Sequence, residues 1–437
     1  MKKNDVIKLT ATDLSREGYG VAHYENKAVF IADLLPEEEA DVKIIKVLSK
    51  YAIGIVIKRY NDATTRISPK CPVAKVCGGC QIAHIDYPAQ LAFKNQWMER
   101  LFKSVDEKIE VRPILGCKEP YHYRNKAQFP VQSDGKTMKM GFYRKRSNDI
   151  VPCAQCEIQS EKINEVYAWI QEHLSPALGF YLRHIFIRHS KATGQVQVVW
   201  IGSTPGMFKQ ISKELYEAFD EVVSVIFNEN ERNDNVILGE KSQVLAGVEY
   251  LQEECLGNTI ELSFKSFFQV NPDQMNVLYQ QALQAANLKK DDVLIDLYAG
   301  TGTIGLAAAK HVKEVIGIEI VEDAVKNANE NARINHIENA RYICQDASEF
   351  AAEFSASDQK ADVIIVDPPR KGLTSQGIED ICTIAPERLV YISCNPDTLA
   401  RDLKLFKEKG YQTKFVQPVD MFAHTTGIET VAFLFKE

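Results

Sequence analysis

The stretch DVLIDLYAGTGTIGL, Asp292 to Leu306, decides the fold. Its first half is an apolar run broken by one acid, the pattern of a strand buried on both faces. Its second half spells G-x-G-x-x-G at Gly300, Gly302 and Gly305 and leads into a helical segment. A strand, a glycine turn and a helix in that order open a parallel sheet that holds a nucleotide-like ligand at the turn. The same grammar continues downstream. EVIGIEI, ARYICQD, DVIIVD and RLVYIS read as buried strands, with EDAVKNANENARINH and PDTLARDLKLFKEKG as helices between them. Strands alternating with helices give a doubly wound, Rossmann-like α/β domain over residues 266–437. The last two apolar runs, YQTKFVQPVDMF and ETVAFLFKE, leave little chain for a crossover and are expected as an antiparallel hairpin at one edge.

Upstream the patterning changes twice. Residues 1–62 alternate apolar and polar positions in short runs separated by Gly, Asn and Pro-Glu turns, which predicts a small OB-like β barrel. Residues 63–265 form a mixed α+β region. There HIFIRHSKATGQVQVVWIG predicts a hairpin, while SEKINEVYAWIQEHL and LAFKNQWMERLFKS carry apolar residues at helical spacing. The second of these helices, near 88–104, is expected to pack on the C-terminal domain although it precedes the central one. With 437 residues, three such units fit the length.

The composition excludes several classes. No run of apolar residues is long enough to span a bilayer, and MKKNDVIKLTATDL lacks the apolar core of a leader, so a cytoplasmic protein without a membrane partner is expected. Ten cysteines without export point to metal binding or chemistry rather than disulfides. The net charge of -7 hides an asymmetry: residues 1–156 hold 26 Lys and Arg against 18 Asp and Glu, a surplus of 8, which leaves residues 157–437 at -15. A basic front part suits a polyanion, although a solvated surface accounts for the same charges.

The glycine turn alone serves dinucleotides and S-adenosylmethionine equally, with Glu319 placed at the end of the second strand to bind a ribose. Asp346, after the third strand, is a candidate for an adenine amino group, with a turn-forming role as its alternative. The choice of ligand comes from VDPPRKGL and YISCNP, which put Asp367 and Cys394 at strand ends of the same sheet. Asp-Pro-Pro makes a stiff turn, and a thiol nearby points to methylation of a carbon. Uracil C5 is a poor nucleophile until a thiolate adds to C6; a base must then remove the C5 proton. Cys394 is the candidate nucleophile. Glu429, in HTTGIETVAFLF, is the candidate base, although taken alone it also reads as a solvated charge at a strand start.

CPVAKVCGGC spaces Cys71, Cys77 and Cys80 as C-x5-C-x2-C, and CAQCEIQ adds Cys153 and Cys156. Four thiolates hold either a zinc ion or a [4Fe-4S] cluster, and the spacing by itself leaves both open.

Taken together, the β barrel, the cysteine segment, YHYRNKAQFP, FFQVNPDQ, DLYAGTGTIGL, VDPPRKGL, YISCNP and HTTGIETV resemble the bacterial RNA (uracil-5-)-methyltransferases, especially their iron-sulfur members acting on 23S ribosomal RNA. The resemblance runs essentially the whole chain. It implies Cys394 as nucleophile and Glu429 as base, with S-adenosylmethionine bound by Gln269, Tyr298, Glu319 and Asp367 at the Gly300–Gly302 turn. It also implies a [4Fe-4S] cluster on Cys71, Cys77, Cys80 and Cys156, with zinc as the alternative. The barrel is similar to the TRAM module and would grip RNA phosphates. A 23S rRNA partner and a monomer are expected. Three other readings stand beside this one: a transfer RNA substrate, an iron-sulfur oxidoreductase holding a dinucleotide, and a non-catalytic RNA-binding assembly factor.

Overall fold

The computed structural model of the chain describes residues 1–357 and 359–436. The first six strands, Val6–Thr10, Asp13–Leu14, Gly20–Tyr24, Lys27–Ala32, Glu39–Val47 and Tyr51–Arg59, make one sheet. Val6–Thr10 pairs with Glu39–Val47, while Asp13–Leu14, just beyond it in the chain, pairs with Gly20–Tyr24. One interrupted strand therefore joins both ends of the sheet and closes it into a barrel. The period-2 alternation puts Ala40, Val42 and Ile44 inside with Val29 and Ile31.

The central region is a seven-stranded sheet running from Ile150–Pro152 through Met138–Tyr143, Lys126–Ser133, Leu182–His189, Val196–Gly202 and Val222–Glu229 to Ser242–Gly247. The hairpin expected around KATGQ is the antiparallel pair Leu182–His189 and Val196–Gly202. The helix Glu161–His173 buries Ile163, Val166, Tyr167 and Ile170 in the core of this sheet.

The C-terminal sheet has eight strands in the order Ala340–Cys344, Glu314–Glu319, Val293–Leu297, Val363–Val366, Arg388–Ser393, Glu429–Lys436, Tyr411–Val419, Glu110–Val111. The first five are mutually parallel, and the chain reverses its direction of travel across the sheet between Val293–Leu297 and Val363–Val366. Ligands of such sheets bind at that reversal, outside the carboxyl ends of the strands. The last two long strands pair antiparallel as expected, but the final one inserts between Arg388–Ser393 and Tyr411–Val419. The short strand Glu110–Val111 then covers the outer edge. Ahead of it, the helix Tyr87–Lys103 starts at an Asp86 cap with Pro88 in its first turn, and its Met98 and Phe102 join the apolar core of this C-terminal sheet. Among the described residues no helix is long and apolar enough to cross a membrane.

Candidate active site

The glycine turn divides its labour. Gly302 has a φ of 82° and is followed directly by the helix Thr303–Ala309. A Cβ on Gly302 would lie 2.7 Å from the Tyr342 ring, one on Gly305 2.7 Å from the Tyr342 hydroxyl, and one on Gly317 2.1 Å from the same ring. These three glycines make room for Tyr342, whose hydroxyl donates to the Gly302 carbonyl at 3.0 Å. Gly300 is different: a Cβ there would meet nothing within 4 Å, so this glycine leaves its backbone open to an incoming ligand. Asp296, fully buried beneath the turn, accepts the Gly305 N–H at 2.9 Å, and burial pushes its carboxyl up to about 7.

Glu319 sits at the end of the second strand. One carboxylate oxygen accepts the Gly300 N–H at 3.1 Å, and the other accepts the N–H groups of Ile320 and Val321 at 2.9 Å each. The side chain thus ties the glycine turn to its neighbour strand and keeps lone pairs for a ligand. Ile320 and Val321 are 67% and 54% exposed, an unusual apolar pair beside a carboxylate. Tyr298 follows the first strand with a φ of 66°, and burial raises its phenol. Asp346 caps the helix Ala347–Ser355 by accepting the Ser348 N–H at 2.8 Å, which gives this exposed residue a local reason to be acidic.

The second half of the site is built by two helix starts of the same kind. Asn271-Pro272-Asp273 opens the helix Pro272–Ala286, and Asn395-Pro396-Asp397 opens Pro396–Glu408; in both the Asn side chain caps and Pro takes the first helical position. Proline keeps each Asn extended, which fixes the backbone just before each helix: Gln269 is two positions ahead of Asn271, and Cys394, at the end of its strand, one ahead of Asn395. Gln269 is buried, and its carbonyl accepts from Asn125 at 3.3 Å. Phe267, two residues earlier, is 66% exposed.

The register brings Cys394 and Glu429 together. Ser393 is opposite Thr430 in the antiparallel pair, and the Thr430 hydroxyl donates to the Ser393 carbonyl at 3.0 Å. The next positions outward are Cys394 and Glu429. Asp367 leaves the sheet on the other side of the Cys394 strand, one residue beyond the Val366–Tyr391 pair. The Asp367–Leu373 loop is tied to the Cys394 turn, because Asn395 donates its side-chain amide to the Arg370 carbonyl at 3.0 Å.

Three acids crowd this edge. Burial pushes the Asp367 carboxyl up to about 7. Glu429 is pushed well above the carboxylate range by burial and then by Asp367, and one of its oxygens has no partner. The Cys394 thiol is pushed up to about 11 by burial, then by Glu429 and Asp367, with Arg370 opposing. Such a site is short of positive charge and favours a cationic ligand.

At the barrel side, Arg16 pairs with Asp397, three residues past the thiol. Lys145 and Arg146 lie 4.6 and 5.5 Å from the Tyr19 ring centre, so basic residues of the barrel and central sheet meet at this rim.

All five motif cysteines, Cys71, Cys77, Cys80, Cys153 and Cys156, line a single cavity of about 290 Å³ together with Arg124 and Lys126. Burial raises each thiol, Cys80 and Cys153 to about 12 and Cys156 to about 11. Among the described residues no three Cys, His, Asp or Glu side chains close on one point as ligands of a single ion do.

Sequence reasoning missed the residues that hold the 420–428 loop ahead of Glu429, chiefly Lys94 and Asp420. Lys94 falls on the apolar face of its helix, three residues after Leu91 and four before Met98, a signal of burial that the sequence carries, but its ion-pair partner is 326 residues away.

Comparison with known proteins shows the family of the chain and its fold. Residues 86–437 match the family described as tRNA (uracil-5-)-methyltransferase, and residues 2–57 match the TRAM domain. An uncharacterized RNA methyltransferase of Halalkalibacterium halodurans is 40% identical over 448 residues, covering 99% of this chain and 98% of the relative. One from Clostridium tetani is 37% identical over 446 residues, covering 99% and 97%. Among solved structures, the Pyrococcus abyssi tRNA (uracil-54, C5)-methyltransferase in complex with S-adenosyl-L-homocysteine superposes with a TM-score of 0.76 over 98% of this chain and 100% of that one, at 23% identity. That likeness shows a shared fold.

Proposed function

The chain belongs to the tRNA (uracil-5-)-methyltransferase family, and from that premise we propose that it methylates C5 of a uracil in 23S ribosomal RNA, with S-adenosylmethionine as methyl donor. The observation that carries the uracil C5 chemistry is that Cys394 and Glu429 are the next positions beyond the Ser393–Thr430 pair, with Asp367 one residue beyond the Val366–Tyr391 pair.

S-adenosylmethionine would supply the methyl group and a sulfonium charge. Glu319 and Tyr298 flank the open Gly300 turn to take its ribose and adenine parts, with Gly302 shaping the turn and Asp346 at the far rim. Gln269 and Asp367 face the other end, where the acidic crowding is suited to a sulfonium. Cys394, as thiolate, adds to C6 of the uracil, and the electrons of the C5–C6 double bond pass to the C4 carbonyl oxygen. C5 then becomes nucleophilic enough to take the methyl group. The Glu429 carboxylate removes the C5 proton, the C5–C6 double bond re-forms, and the C6–S bond breaks to return the thiolate. Arg370, the cation that opposes the acids, favours the ionised forms of both Cys394 and Glu429. The target base must leave its stack to reach this edge, and the basic residues of the barrel and central sheet would hold the flanking phosphates.

Cys71, Cys77, Cys80 and Cys156 would hold a [4Fe-4S] cluster, zinc being the alternative; a five-thiol cavity of about 290 Å³ has the donors and the room. Methyl transfer moves no electron, so the cluster's contribution is a cross-link between two chain segments.

Incubation with methyl-labelled S-adenosylmethionine and unmodified RNA tests the substrate. 5-Methyluridine in 23S rRNA is expected. Label in transfer RNA alone would move the protein to that substrate, and label in neither would end the reading.

A further inference from the structure

Residues 420–428 join the last two long strands, and Val419 pairs directly with Glu429, so this loop leaves and re-enters the sheet at the candidate base. Its interior is filled from outside by the ammonium of Lys94, on the helix Tyr87–Lys103, a residue with no exposure. The Lys94 Nζ donates to an Asp420 carboxylate oxygen at 2.6 Å, to the Phe422 carbonyl at 3.2 Å and to the Gly427 carbonyl at 3.0 Å. An ammonium has three donors. All three are used, on residues 420, 422 and 427 of one loop.

Other bonds on the same loop point the same way. The other Asp420 carboxylate oxygen accepts the Tyr87 hydroxyl at 2.7 Å. Gln90, one turn before Lys94, accepts the His424 N–H at 2.9 Å. Just after the cysteine segment, the Ile82 N–H donates to the His424 carbonyl at 3.1 Å. The loop is thus held on several sides, while Glu429, which it delivers, keeps one buried oxygen unpartnered.

A buried ion pair is weak evidence for stability, since an apolar side chain of similar volume often fills the space as well. What an apolar side chain does not do is hold three oxygens of one loop within hydrogen-bond reach of a single point. We propose that Lys94 is a positioning residue for proton abstraction: by drawing the 420–428 loop around its ammonium it sets where the Glu429 carboxylate stands relative to Cys394. The inference rests on Glu429 being the base. Thiol addition and methyl transfer come before that base acts, so the geometry that Lys94 sets governs the last steps, in which the C5 proton passes to Glu429 and the C6–S bond breaks.

The test compares wild type, Glu429→Gln, Lys94→Met and the double variant Lys94→Met/Asp420→Asn, which leaves no unpaired buried charge. Three quantities are followed: S-adenosylmethionine binding, the methyl-labelled protein–RNA adduct on denaturing gels, and tritium release from RNA labelled at uracil C5. The Lys94 variants are expected to bind S-adenosylmethionine and form the adduct, to accumulate it as Glu429→Gln does, and to release tritium at least about tenfold more slowly than wild type. Wild-type release by the double variant would overturn the proposal. So would loss of S-adenosylmethionine binding or adduct formation in it, because the pair would then serve the fold or the thiol. A wild type that itself releases no tritium would instead sink the assignment of Cys394 and Glu429.

Discussion

Glu429 is 2% exposed with an unpartnered carboxylate oxygen, and a buried acid without a partner is costly to keep. Its place opposite Cys394 gives that cost a use. Glu429→Gln keeps the shape and removes the base; turnover should fall by at least about a hundredfold while a methylated covalent adduct with RNA builds up. A denaturing gel of protein with labelled RNA reads this directly. Asp367 carries a second consequence. Its carboxyl holds a proton up to about pH 7 in the fold, whereas the unfolded chain releases it in the ordinary carboxylate range. The unfolded state therefore binds fewer protons between those values, and the fold loses stability as pH rises through that window. Asp367→Asn removes this loss. Without ligands, variant and wild type should melt alike near about pH 4, and the variant should melt higher near about pH 8, as followed by calorimetry.

At the scale of elements, the glycine turn and the two Asn-Pro helix starts do most of the placing. Because Gly302 and Gly317 leave room for Tyr342 and Gly300 faces open space, the glycines should separate by experiment. Gly302→Ala and Gly317→Ala should lower the melting temperature by several degrees; Gly300→Ala should melt closer to wild type and lose S-adenosylmethionine affinity, seen by calorimetric titration. The parallel sheet was legible because its strands are continuous apolar runs next to a glycine fingerprint. The order of the last two strands was not. YQTKFVQPVDMF and ETVAFLFKE show that they pair, but which one meets Arg388–Ser393 depends on contacts outside those runs, and that choice puts Glu429 beside Cys394. Lys94 was legible only in part: helical spacing in LAFKNQWMERLFKS sets it between Leu91, Met98 and Leu101 on the apolar face, which marks it as buried, but only the folded chain supplies Asp420.

Across the whole molecule, the barrel reaches the C-terminal domain through the Arg16–Asp397 pair, and the cysteine segment reaches it through Ile82, which donates to the His424 carbonyl. The cysteine segment that contributes Cys71, Cys77 and Cys80 runs straight into Gln81 and Ile82, which bond the 420–428 loop. Cys77→Ser is therefore expected to lose the brown colour of an iron-sulfur protein and to lower both melting temperature and methylation. A stable, active, colourless variant would refute a structural cluster, and a colourless wild type holding one zinc would favour the other metal. Cys71, Cys77 and Cys80 were legible from their spacing and Cys156 from the resemblance, but the cavity that Cys153 also lines was not, because Cys153 and Cys156 come from a segment far along the chain. In the proposed reaction Cys394 attacks uracil so that C5 can be methylated and lose its proton. The measurement that meets it most directly is S-adenosylmethionine-dependent tritium release from 23S rRNA labelled at uracil C5, comparing wild type with Cys394→Ala. Release by wild type and none by the variant is the predicted result; equal release by both, or release by neither while S-adenosylmethionine is bound, would contradict it.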